Sequence, residues 1–167
     1  VLSDRVGTFT DSVIRRMTRI NNQYNSINLS QGFPDFDPPQ QLLDALAKTA
    51  YNGPHQYAVT FGAQNFREAL AKKTSPALHH EVDPNTEVCV TCGGTEAMMA
   101  AMMTICNPGD KVMIFSPFYE NYGADAILSG AEPIYIPLVP PTYEFDISLI
   151  EKGFAEGAKA LILCNPS

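Results

Sequence analysis

The stretch KVMIFSPFY (111–119) contains four consecutive apolar residues, Val112 to Phe115, followed by a Ser-Pro turn. A strand with one face in water alternates apolar and polar residues, and this run does not. A second run of the same kind, ALIL, lies at 160–163. Such runs are typical of strands covered on both faces, as in a parallel sheet between helices. The stretch therefore predicts an α/β fold.

From residue 87 onward, short apolar runs alternate with helical patterns. Strands are predicted at 87–92, 111–116, 133–138 and 159–164, and helices at 95–106, 118–129 and 146–156. Successive strands begin roughly 22 to 26 residues apart, which leaves room for a helical crossover between parallel strands. The predicted architecture is a mostly parallel open sheet with flanking helices.

The first part of the chain has a different pattern. Apolar residues at helical spacing predict helices at 9–20, 39–50 and 63–73. Thr10, Asp11 or Ser12 is expected to cap the first of them. A short strand is expected to lead into NLSQGFPDF (28–36), and GPHQYAVTFG (53–62) forms a second segment rich in turn residues.

The composition indicates a folded domain, since 45% of the 167 residues are hydrophobic and 17% are charged. The net charge is −7 with no cluster of Lys and Arg, which argues against nucleic acid as a partner. No apolar run approaches the roughly 18 residues of a membrane span. Residues 1–5 lack the apolar core of a signal peptide. We therefore expect no membrane association and a cytoplasmic location.

The four cysteines, Cys89, Cys92, Cys106 and Cys164, include one C-x-x-C pair. This spacing occurs in redox motifs and zinc sites. In a predicted strand, however, residues three apart point to opposite faces, and no second pair follows. Core packing in a reducing compartment is the preferred interpretation, and no metal site is predicted.

The segment TCGGTEAM (91–98) carries a chemical signal, because two glycines join a predicted strand to a predicted helix. The first N–H groups of a helix have no internal partner and lie at the positive end of its dipole, so phosphate binds there. Gly93 and Gly94 allow the backbone to approach a phosphate, and the Thr95 hydroxyl can donate to it. Neither glycine pattern of nucleotide-binding loops is present. A tight turn without a ligand is the alternative.

Three aromatic residues follow the next predicted strand. Ligands of open α/β sheets bind outside the C-terminal ends of the strands, so Tyr119 is expected near the Gly93 turn, where its ring could stack on a planar cofactor. Burial against the sheet is the preferred interpretation for Phe118 and Tyr122. Tyr57 lies in a turn-rich segment and by itself indicates a surface or packing residue.

Five motifs in register resemble those of class I/II aminotransferases, which have the aspartate-aminotransferase fold (fold type I). The motifs are NLSQGFPDF (28–36), Gln56-Tyr57 with Gly62 and Arg67, GGTEA (93–97), NPGD (107–110) and PFY (117–119). The resemblance runs from about Phe9 to Ser167 and is nearest to the branch of kynurenine/glutamine and methionine aminotransferases. It implies that residues 1–45 form an N-terminal arm and part of a small domain. Residues 46–167 would then begin a large domain that binds pyridoxal 5'-phosphate (PLP).

The resemblance also implies how this cofactor is held. Gly93, Gly94 and Thr95 would bind the PLP phosphate, and Tyr119 would stack on the pyridine ring. Tyr57 would donate its hydroxyl to the phosphate in the neighbouring subunit, so a homodimer is implied.

The same resemblance implies the reaction. Gly32 would lie beside the substrate carboxylate and Phe33 near the substrate side chain. The expected activity is amino transfer from an aromatic, Gln/Met-like or other apolar L-amino acid to a 2-oxo acid. The alternatives are a PLP-dependent C–S lyase, a non-catalytic effector-binding domain and a generic nucleotide-binding domain.

No catalytic residue is assigned within residues 1–167. The family's Schiff-base lysine, its aspartate at the pyridine nitrogen and its arginine at the substrate carboxylate are expected beyond Ser167. Asn165, in LCNPS (163–167), is not expected to bond the cofactor, since the family's second asparagine does so. We therefore expect residues 1–167 to be inactive alone.

Overall fold

The computed structural model describes residues 2–9 and 11–165. Val1, the possible cap Thr10, and Pro166 and Ser167 of the LCNPS segment lie outside the described residues. The described chain divides into two compact units. One consists of residues 11–90, and the other of residues 91–165 together with residues 2–9. A domain boundary at residue 45 stays a prediction.

The unit of residues 11–90 consists of three helices joined by turns. They are α1 (Val13–Tyr24), α2 (Gln40–Asn52) and α3 (Gln64–Leu78). Their positions confirm the three predicted helices, with ends displaced by a few residues. Ser12 is the N-cap of α1, and its side chain accepts a hydrogen bond from the Arg15 backbone N–H at 3.3 Å.

The short strand predicted ahead of residues 28–36 does not form. Strands need a neighbouring strand to satisfy their backbone groups, and this segment bonds to α1 instead. The Asn28 amide donates to Thr18 Oγ1 at 3.2 Å, while Asn28 Oδ1 accepts from the Ser30 backbone N–H at 3.0 Å. These bonds make a turn anchored to the helix.

Arg67 holds the turn that precedes α3. Its guanidinium is buried and donates to the Gly62 carbonyl at 3.1 Å and to the Pro84 carbonyl at 2.6 Å. Gly62 has a φ of +104°, and a Cβ added there would lie 2.5 Å from Val90 Cγ2. Only glycine fits this turn, because the backbone is left-handed and Val90 fills the space beside it.

The second unit contains a three-stranded parallel sheet. Its elements are a 3-10 helix (Asp4–Thr8), α4 (Gly93–Ile105), β1 (Lys111–Ser116), α5 (Asn121–Leu128), β2 (Glu132–Pro137), α6 (Ile147–Ala155) and β3 (Ala158–Ile162). The strand order is β2-β1-β3, and β1 pairs in parallel with both neighbours. The predicted α/β fold and parallel sheet are thereby confirmed.

Both faces of the sheet are covered, as the unbroken apolar run in β1 predicts. Val112 and Ile114 pack in one cluster with residues of α4 and α5. Met113 packs in a second cluster with residues of α6. All three side chains are fully buried. The alternation along β1 is therefore between two cores, not between core and water.

Three details differ from the sequence-based expectations. Residues 87–92 are not a strand: the Val90 N–H donates to the Phe61 carbonyl at 3.0 Å and the Glu87 N–H to the Asp83 carbonyl at 2.9 Å, and neither bond belongs to a ladder between strands. Without a strand partner, Cys89 and Cys92 are exposed, so their predicted packing in the core is wrong. The helix predicted at 118–129 begins only at Asn121.

Within the part of the chain that the structure describes, no helix is long and apolar enough to cross a membrane.

Candidate functional site

The start of α4 is built as an open turn. Gly93 is the first residue of this helix and has a φ of +81°, a conformation that L side chains rarely adopt. A Cβ added at Gly93 or Gly94 would meet no atom of another part of the described chain within 4 Å, so the space next to these two glycines is open. The Gly93 N–H donates to the Thr91 carbonyl at 2.8 Å, which leaves the next N–H groups of the first turn of α4 to point out of the helix end.

Thr95 lies in the same turn and is linked to α5. The side-chain amide of Asn121 donates to Thr95 Oγ1 at 3.2 Å. Asn121 is the first residue of α5, 26 positions along the chain. This bond ties the first turn of α4 to the first turn of α5.

Glu96 places a negative charge in the first turn of α4. Its carboxylate turns back and accepts a hydrogen bond from the Cys92 backbone N–H. The helix therefore carries a carboxylate at its positive end, where it stabilises the helix dipole. The bond to Cys92 also keeps that carboxylate on the loop that enters the helix.

Tyr119 lies between β1 and α5, three residues after the end of the strand. Its ring is half exposed and meets the Tyr122 ring edge-on, with centroids 5.8 Å apart and an interplanar angle of 76°. Phe118 stacks on Tyr135 at 5.2 Å and packs against the buried cluster. The hydrogen bond between Tyr122 and the Cys164 thiol, together with burial, raises the pKa of Tyr122. The packing expected for Phe118 and Tyr122 is confirmed, and Tyr119 presents its ring to solvent.

Thr95 and Tyr119 lie at the same end of this unit. The bond from Asn121 reaches Thr95, and Asn121 is two residues from Tyr119. The end in question is the C-terminal edge of the parallel strands, where ligands of open α/β sheets bind.

The other three candidates belong to the unit of residues 11–90. Gly32 and Phe33 follow the turn anchored on Thr18, and the Phe33 side chain is 64% exposed. Tyr57 is 96% exposed, so the fold gives it no packing role within its own unit. An exposed tyrosine of this kind is free to contact a ligand or another chain.

The sequence profile of the family "Aminotransferase class I and II" matches residues 24–167. The chain belongs to this family. The methionine aminotransferase of Escherichia coli strain K12 is 36% identical over 155 residues, which cover 93% of this chain and 40% of that protein. Kynurenine–oxoglutarate transaminase 3 of Mus musculus is 31% identical over 173 aligned positions, which cover 97% of this chain and 38% of that protein.

A solved structure supports the same assignment. YbdL from Escherichia coli, described as having a methionine aminotransferase function, matches with a TM-score of 0.91 at 34% identity over 100% of this chain and 44% of that chain. The family resemblance and the fold inferred from the sequence are thus confirmed. The chain spans about two fifths of the length of the curated relatives it matches.

Members of this family depend on PLP, and the start of α4 fits the phosphate of that cofactor. A phosphate needs unpaired N–H groups, a positive dipole end and room for close approach. The left-handed Gly93 and the open space beside Gly94 provide the room, and Thr95 adds a hydroxyl. The exposed Tyr119 ring is available for the planar part of the cofactor.

Sequence reasoning missed Asn121 as part of this site. An asparagine at a helix start predicts a local capping role, and nothing in the sequence shows that its side chain reaches Thr95. The motif that contains Arg67 likewise gives no sign of the two bonds that its guanidinium makes to backbone carbonyls. The Asn121–Thr95 bond spans 26 positions and the Arg67–Pro84 bond spans 17, so local patterns do not reveal them.

Proposed function

We propose that the full-length protein to which this chain belongs uses PLP to transfer an amino group from an L-amino acid to a 2-oxo acid. The main support is the family match over residues 24–167, which includes the open turn at the start of α4. In the reaction, the donor's amino group and α-hydrogen are replaced by a carbonyl oxygen, and the acceptor undergoes the reverse change. No external oxidant or reductant is needed.

The described residues would hold the cofactor from two directions. Gly93, Gly94 and Thr95 would bind its phosphate through backbone N–H groups and a hydroxyl, and Tyr119 would stack on its ring. When bound, PLP supplies an electron-accepting ring and a carbon that carries the amino group between substrates. These residues of the protein would bind and orient the cofactor.

The proposal also includes roles for three residues in the unit of residues 11–90. The Gly32 backbone N–H would bind the substrate carboxylate, and Phe33 would lie near the substrate side chain. Tyr57 would donate to the cofactor phosphate of a second copy in a homodimer. The high exposure of Phe33 and Tyr57 supports these roles, because neither side chain is used for packing in its own unit.

The substrate class is also part of the proposal. We propose an aromatic, Gln/Met-like or other apolar amino acid as donor. The similarity to a methionine aminotransferase and to a kynurenine–oxoglutarate transaminase supports this class. A cytoplasmic location is proposed with it.

The lysine that transfers the protons and two residues that support the reaction are proposed to lie outside residues 1–167. They are the lysine that binds PLP covalently, the aspartate at the pyridine nitrogen and the arginine at the substrate carboxylate. A polypeptide of residues 1–167 is accordingly expected to show no turnover. Borohydride reduction with PLP followed by mass spectrometry tests this, and a stoichiometric lysine adduct accompanied by turnover would contradict it.

The activity itself is tested on the purified full-length protein. It is incubated with PLP, a panel of twenty amino acids and several 2-oxo acids, and both products are measured. We expect formation of a new amino acid that depends on the oxo acid, fastest with apolar or aromatic donors. Release of pyruvate and ammonia without an oxo acid would indicate a C–S lyase instead, and failure to bind PLP would refute the proposal.

A further inference from the structure

The Thr95 hydroxyl differs from those of the other threonines in α-helices. Four helical threonines donate their hydroxyl hydrogen to the carbonyl four residues earlier, at distances between 2.7 and 3.0 Å: Thr18, Thr49, Thr74 and Thr104. Thr95 is the third residue of α4, so the carbonyl four residues earlier is that of Thr91, before the helix, and it already accepts from the Gly93 N–H at 2.8 Å. Among the described residues, the Thr95 hydroxyl therefore has no helical carbonyl as acceptor. Its Oγ1 instead accepts from the Asn121 amide at 3.2 Å.

We propose that Asn121 is a positioning residue that turns the Thr95 hydroxyl hydrogen towards the cofactor phosphate. The inference rests on the proposed function, since it presupposes that PLP binds at the start of α4. It assigns to Asn121 a role that acts through Thr95, without a contact to the cofactor.

The direction of a single hydrogen, that of the Thr95 hydroxyl, decides whether Thr95 can donate to a phosphate. A hydroxyl has one O–H donor and two lone pairs, and the hydrogen rotates to suit its surroundings. The amide N–H of Asn121 occupies one lone pair of Thr95, so the hydrogen cannot point towards Asn121. Thr95 is in the first turn of α4 and its hydrogen is not spent on a helical carbonyl. The Thr95 hydroxyl hydrogen is therefore available to donate to an anion bound at the open turn.

Asn121 is placed to fix this orientation rigidly. It is the first residue of α5, and the following residues of this helix, Gly123, Asp125 and Ala126, are buried. The helix therefore cannot shift easily. A donor held by a packed element reduces the ordering cost of binding the phosphate.

The test measures binding of two compounds to the full-length protein. PLP and pyridoxal differ by the phosphate, so the ratio of their Kd values isolates the phosphate contribution. Titrations followed by absorbance are made for the parent, Asn121→Ala, Thr95→Val and the double variant. Alanine is a better helix former than asparagine, so Asn121→Ala preserves α5. Thr95→Val keeps the shape of the side chain and removes the hydroxyl.

The expected results are specific to the phosphate. Thr95→Val should raise the Kd for PLP about tenfold or more, as for loss of a hydrogen bond to a charged group. Asn121→Ala should raise it about three- to tenfold and leave the Kd for pyridoxal within about twofold. In the Thr95→Val background, Asn121→Ala should have no further effect, because the hydroxyl it orients is gone. Thr95→Ser should retain most of the affinity.

Two results would overturn the inference while leaving the proposed function intact. One is an equal loss of PLP and pyridoxal binding in Asn121→Ala, which indicates a general structural effect. The other is an Asn121→Ala effect that persists in the Thr95→Val background. Asn22→Ala, an exposed asparagine on α1, is the matched control and should not change the ratio. A parent protein that does not bind PLP would refute both the inference and the proposed function.

Discussion

The effect of Asp125→Asn on the free energy of unfolding is expected to depend on pH. The substitution should be more favourable for stability at neutral pH than at acidic pH. Asp125 lies on α5 with 4% of its surface exposed, and its Oδ2 has no hydrogen-bond partner among the described residues. Burial away from water raises the pKa of this carboxyl. The fold therefore accommodates the protonated side chain better than the charged one.

The sign and size follow from linkage. The ordinary pKa of aspartate is 3.8, and the folded-state pKa of Asp125 is higher. Its favourable contribution is fully present below the ordinary value and is lost as the pH rises through the folded pKa. Above that pH the fold buries a charge with one unpaired oxygen, at a cost of about 1–3 kcal/mol. As the pH rises above the ordinary value and through the folded pKa, the free energy of unfolding should shift progressively in favour of Asp125→Asn.

The assay is urea-induced unfolding of the full-length parent and variant, followed by circular dichroism at several pH values. Asp146→Asn provides a control of opposite sign. Asp146 caps α6 by accepting from the Ser148 N–H at 2.9 Å, and its hydrogen bonds with Ser148 lower the pKa of Asp146. Its stabilising contribution is present above the ordinary pKa and is lost as the pH falls. A pH-independent difference for Asp125→Asn, or one that favours the parent as pH rises, would refute the reasoning.

Three further outcomes are expected. Gly153→Val should lower the free energy of unfolding by about 2 kcal/mol in thermal denaturation, because even a Cβ at this position of α6 would overlap the fully buried Met113 sulfur; an unchanged midpoint would contradict this. Arg67→Lys should destabilise by about 2 kcal/mol, since a lysine lacks the fork that reaches two backbone carbonyls, and retained stability in urea unfolding would speak against that role. Tyr119→Leu should raise the Kd for PLP about two- to tenfold while Tyr119→Phe leaves it unchanged, because stacking needs the ring and not the hydroxyl; equal affinities for PLP in both variants would rule stacking out.

Much of the fold was predictable from local patterns. The apolar run Val112–Phe115 predicted a strand buried on both faces, and the structure places Val112 and Met113 in opposite clusters. The glycine pair predicted the turn at the start of α4. The strand expected at 87–92 shows the limit of such patterns, since a β-rich run becomes a strand only when another strand is adjacent.

The candidate site was likewise predictable only in part. Its motifs could be recognised one by one, because a glycine turn before a helix and a tyrosine after a strand are local features. Their mutual placement could not, because Asn121 reaches Thr95 only through the packing of α5 beside α4.

The sequence by itself determined the family and the parallel α/β architecture, and it indicated candidate residues for binding a phosphate. These depend on hydrophobic periodicity, on the positions of glycines and on the order of motifs, all of which can be read from the sequence. Only the tertiary structure decided which side-chain groups are hydrogen-bonded within the fold and which remain available. Among the described residues, one oxygen of the buried Asp125 has no hydrogen-bond partner, the Arg67 guanidinium donates to backbone carbonyls, and the Thr95 hydroxyl accepts from Asn121. The reason is that burial and hydrogen-bond pairing depend on contacts between residues far apart in sequence, which periodicity cannot express.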